Sequence, residues 1–230
     1  MKMIGLLGGM SWESTELYYR LINEGIKAKL GGLNSANIAM RSVNFQVIED
    51  LQHKGDWLKA GECLARAARE IEAAGADFLL ICTNTMHKVV PQIELAVDIP
   101  ILHIADATAE RLKQNGIKTV GFLGTSFSME QDFYVGRLRD KHDLKVIIPD
   151  KKDRAIVHRV IYEELCLGVV KESSRGAYLG IIKKLKDAGA EAVIEGCTEI
   201  VMLVQQEHTT TKLFDTTSIH AEEAIRWALS

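Results

Sequence analysis

Two kinds of run alternate along this chain of 230 residues. Short, almost wholly apolar runs cover residues 2–8, 38–45, 78–82, 101–104, 119–123, 145–148, 192–195 and 213–215. All but 38–45 have glycine, proline or a hydroxyl residue on at least one side, the pattern of strands buried on both faces of a parallel sheet. Between them the apolar residues fall at helical spacing. Trp57, Leu58, Cys63, Leu64, Ala67, Ala68 and Ile71 share one face of a helix over 57–74 that stops at Gly75. A first helix over 12–30 has Ser11 as its cap, Glu13 in its first turn, and Gly31 and Gly32 as its stop. The same spacing predicts helices over 86–97, 107–115, 129–141, 153–167, 172–188, from Cys197 to about 204, and over 217–228. The segment 44–52 reads as a loop.

Strands alternating with helices imply right-handed βαβ units and parallel sheets, an α/β fold. The pattern also repeats. Gly5-Leu6-Leu7-Gly8-Gly9 returns as Gly121-Phe122-Leu123-Gly124-Thr125, and Ala74-Gly75-Ala76-Asp77 with Cys82-Thr83-Asn84-Thr85 returns as Ala188-Gly189-Ala190-Glu191 with Cys197-Thr198-Glu199. Both offsets are close to half the chain, which indicates an internal duplication. The expected architecture is two pseudo-symmetric lobes, each a parallel sheet flanked by helices. Residues 1–104 with 211–230 form the N-terminal lobe and 105–210 the C-terminal lobe, with crossings near 103–106 and 208–212.

Composition narrows the function classes. Apolar residues make up 47% and charged residues 26%, enough to bury a sizeable core. A net charge of −3 without a basic run offers nothing to nucleic acid or to an anionic membrane. No apolar stretch is long enough to span a bilayer, and the N-terminus is not built as a signal peptide, so a cytoplasmic location is expected. The four cysteines, Cys63, Cys82, Cys166 and Cys197, form no C-x-x-C pair and match no zinc spacing, so neither a metal nor a structural disulfide is expected.

Ligands of open parallel sheets bind beyond the carboxyl ends of the strands. Residues 8–11, 82–85, 124–126 and 197–199 reach that edge, each between a strand and a helix, with backbone N–H groups suited to a carboxylate. Thr83, Asn84, Thr85, Thr125, Ser126 and Thr198 add hydroxyl and amide groups. A lone cysteine is usually a core residue, and Cys63 and Cys166 are read so. The repeated position of Cys82 and Cys197 points the other way. At helix starts their pKa is expected to fall below the usual value of about 8.5. Two such thiols on opposite faces of a bound amino acid could exchange its α-proton, one as base and one as acid. Glu199 either orients the Cys197 thiol or serves as a surface or capping residue. Met10 either lines the pocket or covers it. Gly5, Gly8 and Gly9 are not a nucleotide fingerprint, and no G-x-S-x-G elbow is present. His87, His103 and His220 read as hydrogen-bonding residues rather than metal ligands.

The segments Gly8-Gly9-Met10-Ser11-Trp12-Glu13-Ser14-Thr15, Cys82-Thr83-Asn84-Thr85-Met86-His87-Lys88 and Gly196-Cys197-Thr198-Glu199-Ile200 resemble the aspartate/glutamate racemase family, over essentially the whole chain. The chain looks most like the aspartate racemases and the bacterial broad-specificity amino-acid racemases. The resemblance implies two α/β lobes with a site between them, usually in a homodimer, and no cofactor. It implies Cys82 and Cys197 as the acid/base pair. Thr83, Asn84, Thr85 and Thr125 would hold the substrate's α-carboxylate and amino group, with Met10 nearby. Aspartate-specific members read the side-chain carboxylate with basic residues, including an arginine after the second strand. Residues 44–52 contain none, and the second-lobe helix carries Tyr162, Glu163 and Glu164. The expected pocket therefore favours neutral polar or basic side chains, with Gln52 and Glu164 as contacts. The competing readings are an aspartate or glutamate racemase, another reaction of the fold (hydantoin racemase, maleate isomerase or arylmalonate decarboxylase), and a small-molecule binding protein.

Overall fold

The apolar run at the N-terminus becomes β1 (Ile4–Gly8), with every residue buried. In the computed structural model, which describes Met1–Ser230, the chain divides into two units. The first comprises Met1–Ile104 and His220–Ser230, the second Ala105–Ile219. No helix is long and apolar enough to cross a membrane.

In the first unit β1 is followed by α1 (Trp12–Leu30), β2 (Ile38–Ser42), α2 (Phe45–His53), α3 (Trp57–Ala73) and β3 (Phe78–Ile81). A 3-10 turn (Thr85–Val89) and α4 (Val90–Glu94) complete its first segment. The sheet is parallel in the order β2-β1-β3, and Ile101 adds a single parallel bridge to Leu79. Alternation along each strand sends side chains to opposite faces. Leu7, Leu79 and Ile81 pack with Leu64, Ala67, Ala68 and Ile71 of α3. Ile4, Leu6, Phe78, Leu80 and Cys82 pack with Tyr18, Ile22 and Ile26 of α1 and with Ala221, Ala224, Ile225 and Ala228. Each aliphatic side chain so enclosed contributes roughly 1.5–3 kcal/mol.

The second unit repeats the plan. It contains most of α5 (Ile104–Gln114), then β4 (Thr119–Gly124), α6 (Ser126–Glu130), α7 (Val135–His142), β5 (Lys145–Ile147) and α8 (Lys151–Glu163). After a 3-10 turn (Leu165–Leu167) come α9 (Glu172–Asp187), β6 (Ala192–Gly196), α10 (Ile200–Leu203) and β7 (Lys212–Asp215). The last helix, α11 (Thr216–Leu229), begins in this unit and ends in the first. Its parallel sheet runs β5-β4-β6-β7, the order of the first unit with the Ile101 bridge extended into a full strand.

Three sequence expectations are revised. Residues 44–52 are not a loop: Asn44 accepts from the Gln46 amide and caps α2, and Ile48 and Gln52 form its buried face. The helices expected over 86–97, 129–141 and 153–167 are each broken, into the 3-10 turn and α4, into α6 and α7, and into α8 and its 3-10 turn. The return crossing falls at Ile219/His220 rather than near 210, because β7 is hydrogen-bonded to β6 and belongs to the second sheet.

Candidate active site

Two loops at the carboxyl edge of each sheet carry the chemistry-bearing residues. In the first unit Leu7 is the register partner of Ile81, and Cys82 follows with its N–H donating to the Leu7 carbonyl at 2.9 Å. Gly9 turns the chain off β1 at φ 90°, and a Cβ there would lie 2.2 Å from the Val43 carbonyl oxygen. This glycine is a packing requirement rather than a phosphate cradle. Its N–H donates to Thr15 Oγ1 at 2.7 Å, and Thr15 Oγ1 donates to the Ser11 carbonyl at 2.8 Å. Ser11 caps α1 by accepting from the Ser14 amide. Ser14 Oγ in turn lies 3.5 Å from the Cys82 carbonyl, so the β1 turn and the cysteine loop brace each other.

Met10, Asn84 and Thr85 are buried beside these loops. The Thr83 N–H donates to Ile81 O, and the Thr83 carbonyl receives the His87 imidazole at 2.8 Å. Gln52 comes from α2, nearly fully buried, and its side-chain amide donates to Met86 Sδ. All the candidates of the first unit therefore belong to one edge of one sheet or touch its loops.

In the second unit the register partners Gly124 and Gly196 are followed by Thr125 and Cys197. The Thr125 hydroxyl accepts from the Ser128 amide and caps α6. Cys197 Sγ donates to Glu199 Oε2 at 2.9 Å, and Thr198 Oγ1 donates to the same oxygen at 2.8 Å. All three residues are buried. Glu199 is thus the thiol's acceptor, which the sequence left as one of two roles. Glu164, at the end of α8, is also buried. It accepts from Ser174 Oγ at 2.7 Å and faces Arg159 and Lys171 at 3.2 and 3.4 Å. These partners hold its carboxyl below the usual range, the Ser174 hydroxyl most of all.

The expected low thiol pKa is reversed. Burial pushes Cys82 up, with no partner to offset it. Cys197 is also pushed well up, first by burial, then by the neighbouring Glu199 and by Cys166. Burial is the physical reason, and the helices that follow do little to offset it. The 3-10 turn after Cys82 and the four-residue α10 after Cys197 are too short to set up a useful dipole. In the unliganded protein burial favours the protonated form of both sulfurs.

Three residues of this edge were not singled out in the sequence. His158 of α8 accepts the Ser126 N–H at Nδ1, 3.2 Å away, and so occupies part of the α6 N-terminus. Tyr178 of α9 donates its hydroxyl to the Val157 carbonyl and is among the neighbours that feel Cys197. Glu195 lies two residues before Cys197, buried, with Oε1 unpartnered and Asp215 as its register neighbour. Burial, then Asp215, raises its pKa to about 8. Only Glu195 left a legible signal, an acid inside the apolar run 192–195.

Residues 7–224 match the family described as Asp/Glu/hydantoin racemase. The chain is 55% identical, with a TM-score of 0.94 and full coverage of both chains, to a crystal structure from Yersinia pestis described as a candidate Asp/Glu racemase. An aspartate racemase homologue from Pyrococcus horikoshii is 32% identical, with a TM-score of 0.86 and full coverage of both. The broad-specificity amino-acid racemase RacX of Bacillus subtilis is 26% identical over 137 residues, which span 57% of this chain and 58% of that protein.

Proposed function

Because the chain belongs to the Asp/Glu/hydantoin racemase family, we propose that it racemises amino acids without pyridoxal phosphate, through the thiols of Cys82 and Cys197. The observation that carries this reading is positional. Each thiol stands one residue beyond a paired strand end, at equivalent places in two duplicated units. A binding protein would need neither.

In the proposed reaction one sulfur, as thiolate, takes the α-proton from one face of the substrate. The other, as thiol, gives a proton to the opposite face, and the reverse reaction exchanges their roles. The buried thiols hold their protons at rest. The substrate's ammonium group supplies the opposite charge that favours a thiolate. For Cys197 the acceptor, Glu199 Oε2, is already 2.9 Å from Sγ. Thr83, Asn84, Thr85 and Thr125 hold the α-carboxylate and amino group, with Met10 and Thr198 alongside. N–H groups aimed at the carboxylate stabilise the carbanion by electrostatic preorganisation. We further propose broad specificity rather than strict use of aspartate, with Gln52 and Glu164 reading the side chain. Gln52 is neutral, and Glu164 carries its own cations.

A screen of L- and D-amino acids in heavy water, without added pyridoxal phosphate, tests this by chiral chromatography and mass spectrometry. One deuterium should enter Cα with connectivity unchanged. No exchange in any amino acid, or a product of altered connectivity, overturns the racemase reading. Exchange confined to aspartate or glutamate overturns broad specificity. We also propose a homodimer, which a monomeric mass in analytical ultracentrifugation would refute.

A further inference from the structure

His87 stands five residues after Cys82, in the 3-10 turn Thr85–Val89, and is 2% exposed. Both of its ring nitrogens meet backbone groups. Nδ1 lies 2.8 Å from the Thr83 carbonyl, which can only accept, so Nδ1 carries the proton. Nε2 lies 3.3 Å from the Ile104 N–H, which can only donate, so Nε2 is bare. Two backbone groups therefore impose one neutral tautomer.

The same few residues are gripped a second time. His220 Nε2 lies 2.7 Å from the Leu102 carbonyl, and its Nδ1 lies 2.8 Å from Tyr18 Oη. That fixes the opposite tautomer, with the proton on Nε2 and the Tyr18 hydroxyl donating to Nδ1. Burial drops the His220 pKa to about 4, so its ring stays neutral. The His103 ring lies 4.5 Å from that of His87, and the His220 ring 6.1 Å. Ile104 is where the chain leaves the first unit, and His220 is where it returns. The backbone at 102–104 is thus held by two imidazoles, and one of them also holds the carbonyl next to Cys82.

We infer that His87 is a positioning residue: its Nδ1–H fixes the Thr83 carbonyl, and through it the Cys82 thiol, relative to the 102–104 segment. The inference rests on the reading of Cys82 as an acid/base group. Thr83 has no other side chain anchoring its carbonyl, whereas Ile104 already begins the helix α5. The Thr83 bond is therefore the one that matters for the thiol.

The test separates the two ring nitrogens. Asparagine places an amide N–H near Nδ1 and can keep the Thr83 bond; glutamine reaches toward Nε2 and can keep only the Ile104 bond. His87→Ala and His87→Gln should each lower kcat by about tenfold to a hundredfold with KM within about twofold, as expected for a displaced reacting group. His87→Asn should recover most of that loss. Equal kcat in the Asn and Gln variants, or losses that follow the thermal midpoint instead of the retained bond, would overturn the inference. Two readouts do not depend on racemase activity. In wild-type protein carrying 15N-histidine, long-range proton–nitrogen spectra should show His87 as the Nδ1–H tautomer and His220 as the Nε2–H tautomer; His87 protonated on Nε2 would refute the assignment. Iodoacetamide labelling of Cys82, followed by peptide mass spectrometry against Cys63, should change in the Gln and Ala variants and not in Asn. If the labelling pattern and tautomer hold while no amino acid exchanges, the racemase reading fails and the positioning role stands.

Discussion

Cys82 and Cys197 occupy matching places in duplicated sheets, yet their surroundings differ in kind. Cys82 closes an apolar cluster with Leu6, Leu80 and Tyr18, and nothing polar offsets its burial. Cys197 donates to a buried carboxylate that also holds Thr198. The contrast extends one step back along the strands. Leu7 pairs with Ile81 in the first sheet, whereas Leu123 pairs with Glu195 in the second. The duplication has thus kept a scaffold and the thiol's place in it while the second copy became the polar one. A repeated backbone position does not imply a repeated role. In the proposed reaction the two thiols would differ in how each gains and loses its proton.

The sharpest way to break this comparison is to remove each sulfur in turn. Cys82→Ser and Cys197→Ser should each lower kcat by about a thousandfold or more, because a hydroxyl is far too weak an acid to replace a thiol in general acid–base work. Full activity in either variant would end the two-thiol reading. Next in size is Glu199→Gln, which keeps the shape and a neutral acceptor oxygen but removes the carboxylate that can take a proton, with an expected loss of about tenfold to a hundredfold. The equilibrium constant of a racemisation is one, so kcat/KM must fall equally in both directions. The asymmetry should instead appear as a larger primary deuterium isotope effect for the enantiomer whose α-proton passes to Cys197. Equal isotope effects for both enantiomers would show that Glu199 does not distinguish the two thiols.

Glu195 supplies a prediction in stability. Its folded pKa is raised to about 8, so between the ordinary carboxylate range and pH 8 the folded state binds a proton that the unfolded state has lost. Stability contributed at this site therefore falls as pH rises, by at most about 1.4 kcal/mol per pH unit. Glu195→Gln removes the titration and should be the more stable protein at pH 8, by up to a few kcal/mol. Urea midpoints from pH 5 to 8 should diverge steadily; parallel curves would show that Glu195 is ionised in the fold. The smallest effect belongs to the first unit. Ser11→Ala removes the cap of α1 and should cost about 1 kcal/mol in urea unfolding. No change would show that Ser11 does not carry the cap.

Much of this was legible in residue order. The runs at 78–82 and 192–195 became strands, and the two cysteine segments lie at equivalent sheet edges. Misreadings occurred where local pattern was overruled or overlooked. Phe45, Ile48 and Gln52 have helical spacing behind the cap Asn44, but the segment directly follows a strand, and its position there points to a loop. The breaks after Glu130 and Glu163 carry neither proline nor an adjacent glycine to announce them. The pairing of β7 with β6 is non-local, so no reading of residues 208–212 could place the return crossing.

The chain by itself determined the α/β alternation, the duplication and the place of both thiols, because periodicity, capping and repetition are properties of neighbours along the backbone. Tertiary structure alone decided that burial favours the protonated form of both sulfurs, that the Glu199 carboxylate turns toward Cys197, and that His87 bridges Thr83 to Ile104. Those outcomes depend on desolvation and on where side chains point once the loops are packed, and residue order alone fixes neither, even for partners as near as Cys197 and Glu199.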